Sequence, residues 1–556
     1  MNRLILLFLG AALLCAPSRA DDYLRNNAID VRHYVFVLEL SDETDALAAT
    51  ATVVVEFLEG GISDVVFDLV GRAEGAETGM VVSSVRSGEQ SMTFDHVDNR
   101  LEINLDEPST RGRTLPITVS YAGRPADGLV ISDNIFGDRT FFGDNWPDRA
   151  RHWLPSIDHP YDKATCEFIV TAPERYQVVA NGRKVEESSL PGGRSLTHWS
   201  ETVPITTYCM VIGAARFAVH HVDVLNGVPI ETWVYPQNRD AGFFDFAPAP
   251  QVVDFFSSRV GPFPYEKLAN VQSRTRYGGT ENASVIFYNE RSVTGTGKRA
   301  DLVTHEIAHQ WFGDSVTAAD WNHIWLSEGF ATYFTHLYNE FTHGRERFEA
   351  GLARDRKRVR AFHQRRPHSP VVDPSITVLD DLLSANSYQK GSWVLHMLRG
   401  EVGEEAFWKG IRAYYEEFRD RNALTADFER SMEEASGKEL GWFFEQWIFE
   451  AGHPVLDGAW QYADGTLTVE LRQAQPGRRA FVFSLDIGIN AAGDEPLLME
   501  TMRVDERSEV FTFPLESKPE SLLLDPRTRL LMDGTLVPAN PVGLRHSIRT
   551  PIIRRW

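Results

Sequence analysis

The stretch Asp301–Phe334, DLVTHEIAHQWFGDSVTAADWNHIWLSEGFATYF, restricts the fold of this chain more than any other. It contains His305-Glu306-Ile307-Ala308-His309, an H-E-x-x-H pattern. On a helix, residues four apart lie one above the other, so both imidazoles can reach one ion while Glu306 points beside it. A helix is the expected state. Asp301 stands a turn before His305, and Leu302, Ile307, Ala308, Trp311 and Phe312 can bury the remaining faces. Zinc used for chemistry takes three protein ligands and leaves a fourth position open. Glu328, 19 positions after His309 in Trp325-Leu326-Ser327-Glu328-Gly329-Phe330-Ala331, is the expected third ligand. Gly313 to Trp321 would then stop the first helix, and a second helix starting near Ser327 would lay Glu328 against it. Histidines on an apolar helix are often satisfied core residues, and this chain has 17. Glu328 in its own helical pattern is what makes the metal reading specific: one Zn2+ per chain.

At 556 residues the chain is too long for one core, and two to four domains are expected. Its net charge of −22 argues against nucleic acid and against an anionic membrane surface as partners. Residues 1–20, MNRLILLFLGAALLCAPSRA, read as a secretory signal: Arg3, an apolar run from Leu4 to Cys15, and a small-x-small site ending at Ala20. That pattern predicts export to the periplasm or the exterior. Leu14 before Cys15 is too bulky for a lipoprotein site, and no later run has the length of a membrane span. Cys166 and Cys209 remain in strand-like runs, CEFIVT and YCMVIG; a disulfide and two isolated buried thiols are both open.

Along the chain, residues 21–218 read as a large antiparallel β domain, with DVRHYVFVLEL, AATATVVVEFL, RLEINLD and TLPITVSYAG among its alternating runs. A dense aromatic, Arg and Pro loop from Phe141 to Pro155 interrupts them, either as a packed corner or as the lining of a cleft. Residues 219–452 form the expected metal domain. It opens with a helix (PQVVDFFSSRVG), a strand and the loop Tyr277-Gly278-Gly279-Thr280-Glu281-Asn282, where glycine lets backbone approach a substrate closely. From 345 to 450 the pattern is helical, and the cluster Arg354, Arg356, Lys357, Arg358 and Arg360 reads as a solvated face. Residues 453–535 return to strands and predict a small β-sandwich, and 536–556 read as a basic tail.

Together these pieces resemble the aminopeptidase N-like (gluzincin) zinc peptidases, a family that includes leukotriene-A hydrolase. The resemblance runs from DVRHYVFVLEL through ARHWLPSIDHP, VVANG, GPFPYEKL and YGGTEN to HEIAHQWFGD, WLSEGFATY and SYQKG. It implies an α+β multidomain fold with an N-terminal antiparallel β domain, a thermolysin-like, mainly helical catalytic domain and a C-terminal sandwich. The large helical domain that many relatives add is missing here, which predicts a more open cleft. Carried over residue by residue, His305, His309 and Glu328 would hold zinc, and Glu306 would be the general base. Tyr388 would face the developing oxyanion, Glu281 would bind the substrate's α-amine, and Gly278 and Gly279 would lie along the substrate strand.

The chemistry agrees with those roles. An amide carbonyl is a poor electrophile that a metal can polarise, and a carboxylate beside the metal can take a proton from water and pass it to the leaving amine. A fixed phenol can donate to the oxyanion without carrying charge, and losing such a donor costs about 3–4 kcal/mol. An α-ammonium, with a pKa of about 8, is mostly charged at neutrality and pairs with a carboxylate at 281. The expected activity is release of N-terminal residues from peptides with a free amine; an endopeptidase of thermolysin type and an inactive peptide-binding scaffold are the alternatives. Two departures stand out. Thr280 replaces the family's usual methionine, and Trp146, beside Asp144 and Asn145, occupies the position where relatives carry Glu or Gln as a second amine ligand.

Overall fold

The computed structural model describes residues 23–477, 480–490 and 497–539. The expected signal segment, Cys15 and all but the first residues of the expected tail lie outside these ranges.

Alternation builds the N-terminal domain. Strand Lys163–Pro173 buries every second side chain, the pattern of a sheet with one face on a core. It belongs to an eight-stranded sheet whose central strand, Ile29–Glu39, pairs antiparallel with Leu47–Phe57 on one side and parallel with Lys163–Pro173 on the other. The all-antiparallel expectation is therefore corrected at one pairing. A parallel neighbour demands a long crossover, and the chain between these strands, which includes the aromatic loop, supplies it. Smaller sheets of four and three strands complete the domain. Tyr34, Phe36 and Phe168 stack in its core.

The next sheet has five strands, in the order Ala218–Leu225, Val228–Val234, Leu268–Ser273, Val285–Asn289, Gly279–Thr280. Its last member, the glycine loop, is an edge strand paired on one side only, antiparallel to Val285–Asn289. Helix α1 (Ala300–His309) carries the H-E-x-x-H pattern, α2 (Trp325–His343) carries Glu328, and α3 (Arg345–Arg365) follows. The run that read as continuous helix around SYQKG is broken: a π-helical turn, Asn386–Lys390, precedes α4 (Gly391–Val402). Helices α2 and α4 cross where Gly329 meets Gly391; a Cβ on Gly329 would lie 2.9 Å from the Gly391 Cα. Two glycines facing each other let the backbones touch, and that brings the turn holding Tyr388 up to the helix holding Glu328.

Residues from Val455 onward form a four-stranded and a three-stranded sheet. Strand Asp533–Pro538 pairs parallel with Val455–Ala463, so residues 536–538 of the expected tail complete the sheet. The basic cluster on α3 is only partly a solvated face. Arg356 donates to Asp525 Oδ2 and to the Leu530 carbonyl at 2.7 Å each, and Arg360 pairs with Asp533. These contacts tie α3 to the C-terminal sheets. Both cysteines are buried free thiols, which settles the alternative left open above in favour of two isolated thiols.

Candidate metal centre and active site

Helix α1 presents His305 and His309 one turn apart, and α2 delivers Glu328 from its first turn. Their ligand atoms converge: the two Nε2 atoms lie 3.1 Å apart, and Glu328 Oε2 lies 3.2 Å from His305 Nε2 and 3.3 Å from His309 Nε2. Three ligands at about 2.0–2.1 Å from one tetrahedral ion stand roughly 3.3 Å from each other, so the spacing fits zinc. The tautomer fits too. His309 Nδ1 sits 3.1 Å from the Phe312 carbonyl and 2.9 Å from Ser327 Oγ, and a carbonyl only accepts. The neutral ring then keeps its proton on Nδ1 and aims the Nε2 lone pair into the cluster.

The electrostatics also call for a cation. Burial disfavours charge on Glu328, but His309 and hydrogen bonds from both imidazoles outweigh it and hold the carboxyl at about 2. Burial likewise opposes charge on His309, yet Glu328, Glu281 and Glu306 lift it to about 10. Two imidazoles among three buried carboxylates suit a dication better than a shared proton.

Glu306 is 4% exposed. Burial pushes its carboxyl well above the ordinary range; His309 opposes this, and Glu281 and Glu328 reinforce it. Gly279 lies directly against it: a Cβ there would stand 2.4 Å from Glu306 Oε1. Only glycine lets the edge strand run this close to the carboxylate. Gly278 has no such constraint, since its nearest neighbours would be 3.8 Å away; its carbonyl accepts from Ser292 Oγ at 2.8 Å. Glu281 is buried, and its carboxyl is raised by burial, with His309 opposing and Glu328 adding. The Tyr388 ring is stacked on His305, with centroids 5.9 Å apart and planes within 11°. Burial and the facing Glu328 raise its phenol well above 10, so it remains a neutral donor.

The aromatic loop is a packed corner. Asp144 is committed to Arg149 (2.6 Å) and to the Arg276 backbone N–H (2.8 Å). Asn145 is held by the Met210 carbonyl (2.7 Å) and Trp153 Nε1 (2.8 Å). Neither is free to meet an amine. Trp146 packs edge-on against Tyr277 and Trp321, at 5.9 and 5.8 Å.

Sequence reasoning passed over Gln310. Its Nε2 donates to the Glu281 carbonyl and to Asp314 Oδ2, at 2.7 Å each, and its Oε1 accepts from the Ser284 N–H at 2.8 Å. Placed one residue beyond the last metal histidine, it fastens the substrate loop to the metal helix. The only sequence signal was its position beside His309.

Residues 245–447 match the family model described as Peptidase family M1 domain, and residues 31–209 match the Peptidase M1 N-terminal domain. The chain is 30% identical to human glutamyl aminopeptidase over 336 residues, covering 56% of this chain and 34% of that protein. It is 26% identical to aminopeptidase M1 of Arabidopsis thaliana over 359 residues, 60% and 40% of the two chains. It thus spans less than half the length of these curated relatives. Among solved structures, a mutant M1 zinc metallopeptidase from Deinococcus radiodurans superposes with a TM-score of 0.64 at 25% identity, covering 76% of this chain and 94% of that one. A structure of the same metallopeptidase bound to a Tyr-Ser-Ala substrate superposes at 0.65 and shares the fold at 24% identity.

Proposed function

This chain belongs to the M1 peptidase family, and we propose that it is a zinc-dependent aminopeptidase releasing N-terminal residues from peptides. The observation that carries the reading is the placement of Glu281. It is a buried carboxylate immediately after an edge strand, close enough to the metal cluster to feel the charges of His309 and Glu328.

A peptide can add as a further strand to the open side of Gly279–Thr280, its backbone hydrogen-bonded there. Glu281 then pairs with the α-ammonium and fixes how far the peptide extends before the bond to be cut. His305, His309 and Glu328 would hold zinc, which would supply the Lewis acidity to polarise that carbonyl and acidify a water. Glu306, held in a dry pocket with a raised proton affinity, takes the water's proton and later delivers it to the departing amine. Tyr388 donates its hydroxyl proton in a hydrogen bond to the oxygen that becomes negative. The metal domain is read as thermolysin-like and the two C-terminal sheets as a β-sandwich.

Paired substrates test this reading. Aminoacyl-anilides and free peptides should turn over and lose turnover with chelator, while N-acetylated copies should be ignored. Equal cleavage of acetylated peptides would favour the endopeptidase alternative, and zinc binding without any turnover would favour a scaffold. Export is proposed on residues 1–20 alone; the recovered periplasmic or secreted protein should begin at Asp21, and an intact Met1 terminus would overturn it.

A further inference from the structure

A chain of hydrogen bonds runs from the C-terminal sheets to the turn that carries Tyr388. Its protonation can be read link by link. Asn386, first residue of the π-helical turn, donates through Nδ2 to the carbonyls of Ser369 and Pro370, at 2.8 Å each. Two carbonyls accepting from one atom fix the amide orientation, so Oδ1 faces His363 Nε2 at 3.0 Å and must accept. His363 therefore carries its proton on Nε2. Its Nδ1 lies 2.8 Å from His453 Nδ1, in rings stacked at 5.1 Å. A neutral His363 has only an acceptor to offer there, so His453 donates. The other nitrogen of His453 lies 3.2 Å from Asp533 Oδ2. His453 thus bridges His363 and Asp533, which Arg360 also meets.

His363 is held neutral, at about 3, chiefly by burial and by the Lys390 ammonium. Lys390 is fully buried and donates to the Glu450 carbonyl at 3.3 Å. The relay thus joins four elements: strand Asp533–Pro538, the junction at His453, helix α3, and the turn in which Tyr388 stands two residues after Asn386.

We propose that His453, His363 and Asn386 are positioning residues for the Tyr388 phenol, through which the C-terminal sheets set the geometry of the hydrolytic site. A π turn is a rare insertion that occurs mostly at functional sites, and Asn386 is where side-chain hydrogen bonds tie this one to its neighbours. The inference rests on the aminopeptidase reading. It adds that the C-terminal sheets act on the reaction and are more than a structural annex.

The test is steady-state kinetics of the zinc-loaded full chain on a free-amine peptide. His453→Phe and Asn386→Ala should each lower kcat about 10- to 100-fold, the effect of an ångström-scale misplacement, with KM and bound zinc unchanged. His453→Asn, whose amide can still donate to His363, should recover most of the rate. In a Tyr388→Phe background, where the hydroxyl is already gone, His453→Phe should cost less than about threefold, because residues acting through one group are not additive. Equal losses in both backgrounds would overturn the proposal, as would loss confined to KM or an unaffected kcat. If His453→Phe does not fold, Asp533→Asn is read by the same cycle, with a smaller loss expected. Wild-type protein inert toward every free-amine peptide would instead overturn the aminopeptidase reading itself, a result distinct from an active wild type with additive losses.

Discussion

Two residues beside the metal cluster separate binding from chemistry. Glu306 touches none of the three ligand atoms in the convergent set, yet its carboxylate is buried beside them. Glu306→Gln keeps shape and packing and removes only the proton acceptor. It should hold one zinc and lose about 10²–10⁴-fold in kcat, measured by metal analysis beside turnover. Gly279→Ala approaches the same carboxylate from the edge strand. With 2.4 Å between the new Cβ and Glu306 Oε1, either the edge strand or the carboxylate must move. Turnover should fall about 100-fold while zinc content stays constant, and an unaffected rate would show that Glu306 is free to swing away. Both residues were legible in the sequence, because H-E-x-x-H and a glycine loop encode their geometry locally. What the sequence did not show was that the two meet: the contact joins an edge strand to a helix that begins 20 residues later, and no periodicity carries that information.

Between elements, the joints were the least legible part. Gln310 reads as one more polar residue at a helix end, but its three hydrogen bonds hold α1, the Glu281 loop and Asp314 together. Gln310→Leu strands the Glu281 carbonyl and the Ser284 N–H in a dry interior. We expect a stability loss of about 1–3 kcal/mol in denaturant titrations and a raised KM for free-amine peptides, with zinc retained. The Arg-rich face of α3 misled for a related reason. Charge density marks solvent only until another element arrives, and here the C-terminal sheets bring Asp525 and Asp533 to Arg356 and Arg360. The break before α4 was hidden because a π turn has the same residue preferences as the helix that it interrupts. By contrast, strand alternation gave most of the N-terminal sheet. The parallel pairing escaped because pairing direction depends on which distant strand arrives, a tertiary choice that side-chain alternation does not record.

At the scale of the whole molecule, one of the links from the N-terminal domain into the catalytic one is a buried ammonium. Lys163, on a strand of the large sheet, donates to the Asp314 carbonyl (2.8 Å), the Ser315 carbonyl (2.7 Å) and Thr317 Oγ1 (3.0 Å), just beyond the metal helix. Burial pulls its pKa down to about 8, with Asp420, Cys209 and Asp314 opposing. The sign of the pH effect follows. Between about 8 and the unfolded value near 10.4, the folded chain has released a proton that the unfolded chain still binds, so this group makes stability rise with pH across that window. Asp162, one residue earlier, behaves oppositely lower on the scale. Burial raises its carboxyl to about 8, so from about 4 to 8 the folded chain holds the extra proton and stability falls as pH rises. Lys163→Met should cost about 1–3 kcal/mol at neutral pH, because the Ser315 carbonyl loses its donor while the Asp314 carbonyl keeps Thr317 Oγ1. It should also flatten the rise above pH 8. Asp162→Asn should flatten the fall below it and leave the upper limb intact. Melting temperatures of the three proteins from pH 5 to 10 check both effects at once. If Lys163→Met melts with the wild-type profile, the ammonium does not join the domains, and the alignment of the large sheet with the metal helix rests on other contacts across the boundary, such as Asn181 Nδ2 on the Ala283 carbonyl and Tyr208 against Trp321.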